Sequence, residues 1–131
     1  MMTHENCCTF EQSRQLRELG FDWPCDYYWR FEESWNNNQG GYIRTRNNWP
    51  CRKDSAPTLY QAHKWLIEKY HYFIHVYLHL DDCWRYEIQA VYHYDNYVCE
   101  PEPGLWWRSY EEALSAGIDT VLEYLKKTKS K

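Results

Sequence analysis

The run His71-Tyr-Phe-Ile-His-Val-Tyr-Leu-His-Leu80, continued by Asp81-Asp-Cys-Trp-Arg-Tyr-Glu-Ile-Gln-Ala-Val-Tyr-His-Tyr94, decides the fold. From 71 to 80 the residues alternate with period two, the pattern of a strand with one face in the core. Tyr72, Ile74, Val76, Leu78 and Leu80 form an apolar face, and His71, Phe73, His75, Tyr77 and His79 a histidine and aromatic face. After Asp81-Asp82-Cys83 the alternation resumes with Trp84, Tyr86, Ile88, Ala90 and Tyr92 apolar. Arg85, Glu87, Gln89, Val91 and His93 lie between them. The pattern predicts a β-hairpin with a loop at 81–83. A one-residue slip would turn one apolar set to solvent, so the permitted registers differ by two. One sets Leu80 opposite Trp84, Tyr77 by Glu87, His75 by Gln89 and His71 by His93; the other sets His75 by Glu87.

Helix-start chemistry appears three times outside this hairpin. Thr9-Phe-Glu-Gln12, Thr58-Leu-Tyr-Gln61 and Ser109-Tyr-Glu-Glu112 have the form of a capping box, a hydroxyl followed three residues later by Gln or Glu. They predict helices over 10–19, closed by Gly20 with Phe21 folding back, over 59–69, and over 110–125. Residues 26–31 and 42–46 read as strands joined by the polar stretch 32–41, and 47–57 as a loop. Residues 95–108 read as an irregular crossing, because Pro101 and Pro103 oppose regular pairing. The expected order is α-β-β-α-β-β-α. The expected fold is a single two-layer α+β domain over 1–131, with one antiparallel sheet of about four strands, three helices, and fraying at 1–8 and 126–131.

With 131 residues the chain can bury a real core. Its 8 Trp, 13 Tyr and 4 Phe are too many rings to bury completely, so some should reach the surface and mark an interface or ligand platform. The alternative is that large rings fill a thin core and keep their polar edges wet. A net charge of −4 opposes a protein devoted to the phosphate backbone. No apolar run approaches the ~18 residues of a membrane span, and the first residues lack the character of an export signal. The six cysteines are therefore expected as reduced thiols in a cytoplasm.

Cys8-Thr-Phe-Glu-Gln12, Leu19-Gly-Phe-Asp22 with Pro24-Cys25, Ser55-Ala-Pro-Thr58, Lys64-Trp-Leu66 and Ser109-Tyr-Glu-Glu-Ala113 also carry a resemblance. Over most of its length the chain resembles small uncharacterised proteins of phages, prophages and mobile elements of gut Bacteroidetes. The resemblance implies a cytoplasmic accessory protein and brings no catalytic residue with it.

Three constellations could carry chemistry. His71, His75 and His79 span roughly 13 Å along one strand, too far for one metal ion, so a site would need His93 or Glu87 and a third ligand from elsewhere. A solvent-facing sheet surface that happens to use histidine explains them as well, so no metal or cofactor is assigned. Cys25 and Cys51 follow prolines in two Trp-Pro-Cys turns, and no cysteine pairs with a histidine in the pattern of a nucleophile. Arg44, Arg46, Arg52 and Lys53, interleaved with Tyr42 and Trp49, could clamp a nucleotide or simply be a solvated basic loop. Ser109-Tyr-Glu-Glu stands where duplex-RNA-binding domains place lysines, which opposes duplex nucleic acid. The expectation is a non-enzymatic phage or mobile-element protein that binds another protein through Trp106, Trp107, Tyr77 and His75. Nucleotide binding through Arg44 and Arg46 is the rival, and a metal-dependent hydrolase the weaker third.

Overall fold

The computed structural model describes residues 6–30, 42–52, 55–90 and 97–129. The chain divides into two compact units, Met1–Thr58 and Leu59–Lys131. The fold is α+β, with the elements in the expected order and one short strand added.

The first unit holds α1 (Phe10–Glu18), β1 (Cys25–Arg30) and β2 (Tyr42–Trp49). α1 starts on the predicted capping box. The Gln12 amide donates to Thr9 Oγ1 at 3.0 Å, and the Thr9 amide to Gln12 Oε1 at 2.9 Å. It ends as its glycine requires. Gly20, at φ 110, donates to the Arg17 carbonyl, and Phe21 donates to that of Leu16, both at 3.0 Å. β1 and β2 pair antiparallel, and a shift between Cys25 and Tyr27 lets β2 run on to Trp49, through residues expected as loop. Ser55–Thr58 then lies between two segments: Ala56 N–H donates to the Tyr27 carbonyl, and Cys8 N–H to that of Pro57. Cys7 and Cys8, expected to fray, are thereby fixed and buried.

The second unit holds α2 (Leu59–Tyr70), β3 (Tyr72–Leu80), β4 (Cys83–Ala90), β5 (Tyr97–Cys99) and α3 (Tyr110–Lys129). Its sheet has the order β3-β4-β5, so one sheet of about four strands is replaced by a two-stranded and a three-stranded one. The far edge of β4 is taken from within its own unit, by β5 and by Trp107. β5 lies in the stretch expected to be irregular, and Pro101 and Pro103 follow it and oppose its continuation beyond Cys99. α3 continues to Lys129, through residues expected to fray.

The hairpin adopts the register with His75 opposite Glu87, Ile74 opposite Ile88 and Leu78 opposite Trp84. The turn is Asp81-Asp82, one residue shorter than expected, with Asp82 at φ 56, a conformation Asp tolerates better than most residues. His71 is not part of the strand. At φ 66 it is the single residue between α2 and β3, and it leaves the histidine face.

α2 and α3 pack on one another and against the sheet. Ile74, Ile88, Leu114, Ile118 and Leu122 are each no more than 2% exposed. α3 approaches so closely that a Cβ on Gly117 would lie 2.5 Å from Ile74 Cγ2. The core ends before the strands do. Leu78 and Leu80, expected under helices, are 55% and 65% exposed. α3 begins at Tyr110, whose ring meets Trp84 edge-on at 5.8 Å, opposite Leu78, so the hairpin tip projects beyond the helix start.

The Ile74 amide points away from β4 and donates to Nε2 of His63, on α2, at 2.9 Å. An outward edge amide is thus satisfied by a side chain, which blunts the edge for further pairing. Nε2 must carry no proton for this, and burial holds the His63 pKa down at about 4. The native state therefore binds fewer protons here than the unfolded chain between pH 6.5 and about 4. Stability falls as pH drops through that window, by up to roughly 3 kcal/mol. Urea titrations across it should show this component in the wild type and not in His63→Gln, which keeps an acceptor that does not titrate. Equal pH slopes would contradict the assignment.

Candidate functional site

Two surfaces of the second unit carry the predicted binding residues. The first is the outer face of β3, where alternation stacks side chains two residues apart. Phe73 and His75 have ring centroids 6.4 Å apart, and His75 and Tyr77 5.6 Å. His63 joins this row at 5.3 Å from Phe73. Across the ladder stand Gln89, Glu87 and Arg85, with the Gln89 amide donating to Glu87 Oε1 at 3.3 Å. His75 is exposed and Tyr77 half-buried. His75 and Glu87 would give a metal two ligands. Among the described residues no group of three His, Cys, Asp or Glu could hold one. His93 lies outside the described residues.

The second surface is the segment 101–107, which the sequence leaves as an irregular crossing and the structure holds in one shape. Trp84 and Trp107 exchange two backbone hydrogen bonds, each 2.8 Å, extending the ladder past β5. Arg85, 9% exposed, reaches under the segment from the outer face of β4. Its Nη2 donates to the Pro101 carbonyl at 3.0 Å, and its Nη1 to those of Glu102 and Leu105. The planar fork thus donates to three carbonyls of this segment, that of Glu102 also accepting from the Leu105 amide at 3.2 Å, in a fixed geometry that an ammonium lacks. Gly104, at φ 93, makes the bend between them.

Neighbouring residues of this segment have opposite fates. Trp107 turns inward, its ring 5.2 Å from Tyr86, whose hydroxyl shares a 2.6 Å hydrogen bond with Thr120. It is half-buried and belongs to the packing. Leu105 and Trp106 stand 51% and 49% exposed. Arg85 and Leu105 are the residues the sequence reading missed. The signal for Leu105 was its place beside Trp106; Arg85 looked like any polar residue of an outward strand face.

The remaining candidates are placed more sparsely. Arg44 sits opposite Tyr28 in the β1–β2 ladder and Arg46 two residues further along β2, and both side chains lie outside the described residues. Arg52 is exposed, and Lys53 lies outside the described residues. An apolar pocket lined by Tyr72, Ile88, Val98, Cys99, Thr120, Val121 and Tyr124 has room for about one water molecule, too little for a ligand. No helix among the described residues is long and apolar enough to cross a membrane. No family model, curated protein or solved structure matches the chain.

If Arg85 fixes the shape of 101–107, Arg85→Lys should loosen that segment while the rest of the sheet stays ordered. Hydrogen exchange at the Leu105 and Trp107 amides should rise by about tenfold or more, the loss of roughly one charged hydrogen bond. Unchanged exchange would show that the segment holds its shape without the fork.

Proposed function

We propose that this chain is a non-enzymatic accessory protein of a phage or mobile element, working in the cytoplasm by binding another protein. One observation carries the reading: Leu78, Leu80, Leu105 and Trp106 expose about half or more of their surface on backbone that is already fixed. Large apolar side chains on ordered backbone are costly to leave in water, and covering the half still exposed is worth roughly 1–2 kcal/mol each. Because the hairpin ladder and the Arg85 fork order this region in advance, a partner gains that burial without ordering the chain first. Exposed Trp is also enriched at interface centres. The phage or mobile-element setting rests on the resemblance carried by the capping and turn motifs.

The test uses a double substitution that leaves the packing alone, Leu105→Ala with Trp106→Ala, beside the wild type. Cross-linking and capture from a bacterial host lysate, quantified by mass spectrometry, should recover a protein whose yield falls about tenfold or more with the variant. The melting temperature of the variant should match the wild type. Equal recovery by both would remove this surface from the interaction.

A further inference from the structure

The two Trp-Pro-Cys tripeptides, Trp23-Pro24-Cys25 and Trp49-Pro50-Cys51, meet in the first unit. The ladder pairs Cys25 with Trp49, the last residue of β2, and Cys51 follows two residues later, just past the open end of the hairpin. Local groups draw the thiols together. Both lie within hydrogen-bonding reach of the Ser55 hydroxyl, whose oxygen also accepts from the Arg52 amide at 2.7 Å. Cys25 Sγ donates to the Trp23 carbonyl at 3.4 Å and Cys51 Sγ to that of Phe21 at 3.5 Å, two carbonyls of the segment between α1 and β1.

The two thiols are not equivalent. Cys25 is buried and Cys51 half-buried. Arg17 lies close enough to Cys51 for its charge to favour the thiolate, Asp22 opposes it more weakly, and Arg17 Nε is buried with no hydrogen-bond partner. Cys51 is thus the thiol that solvent can reach and that a cation supports, while Cys25 is held behind it.

We propose that Cys25 and Cys51 form a dithiol site that a small disulfide oxidant, such as glutathione disulfide, closes into a disulfide. The Cys51 thiolate attacks one sulphur of the oxidant, forming a mixed disulfide and expelling one thiolate. The Cys25 thiolate then attacks Cys51 Sγ and expels the second. The protein gives up two electrons and two protons, and the oxidant becomes two free thiols. Burial sets the pace: it pushes Cys25 up to about 12 and raises Cys51 as well, so few thiolates form and closure is slow. The reduced pair persists in a reducing medium and closes under sustained oxidation, pinning the base of β1 to the end of β2. Cys7 also approaches Cys25, but it is buried and its pKa is raised to about 11 by burial, with no cation to favour its thiolate.

Native protein incubated with glutathione disulfide, alkylated and digested with trypsin without reduction tests this. The expected product links the peptide Glu18–Arg30, which carries Cys25, to Asn47–Arg52, which carries Cys51. Cys25→Ser should stop at a glutathione adduct on Cys51, and Cys51→Ser should leave Cys25 unmodified. Linkage of Cys25 to the N-terminal peptide holding Cys7 and Cys8 would overturn the proposal. So would an adduct on Cys25 in Cys51→Ser, or no linkage in native protein when the urea-unfolded chain is modified.

Discussion

The facing of Ile74 and Ile88 beneath α3 is the contact on which the second unit depends. Both side chains are almost wholly buried, and Gly117 brings the helix down until there is no room for a Cβ above Ile74. Fixing this pair fixes the hydrogen-bonding phase of the whole ladder. Ile74 turns its amide outward, where His63 receives it, and four residues further along Leu78 sits opposite Trp84, which turns its own amide and carbonyl outward to Trp107. The two edges of the hairpin are therefore settled by one choice of register. His63 caps one edge, and the segment ending at Trp107 covers the other.

The same choice creates the exposed surface. A nine-residue strand is longer than the part of the sheet that α3 covers, so its last leucines project past Tyr110. The register shift between Leu78 and Leu80 also breaks the alternation, pairing Leu80 with Cys83 rather than with Trp84. On the other edge Arg85 holds Leu105 and Trp106 out in a defined shape. The apolar side chains at the tip are exposed because the hairpin outruns its helix cover, and those of the stapled segment because Arg85 holds their backbone.

Much of this was legible in the chain. Period-two alternation gave the hairpin and its buried Ile74, Tyr86 and Ile88, and Thr9, Gly20 and Ser109 marked helix ends that the structure places where expected. Two registers satisfied the pattern equally, because alternation fixes faces and leaves the pairing open by two residues. Leu78 and Leu80 read as core because periodicity says which face a residue occupies and nothing about whether a helix lies over it. β5 was missed because three residues are too few to show a period, and Arg85 because its partners are carbonyls, which every residue possesses. Of the expected site residues, His75, Tyr77 and Trp106 stand on the surfaces described, and Trp107 is half-buried against Tyr86.

The register is tested most directly by cross-strand nuclear Overhauser contacts between Cα protons. With the Ile74 amide turned outward, Ile74–Ile88 and Val76–Tyr86 are pairs without ladder hydrogen bonds, the kind whose Cα protons approach most closely. Strong contacts between the Cα protons of Ile74 and Ile88, and of Val76 and Tyr86, are the predicted result. A strong contact between Val76 and Ile88 instead would mean the other register and would contradict it.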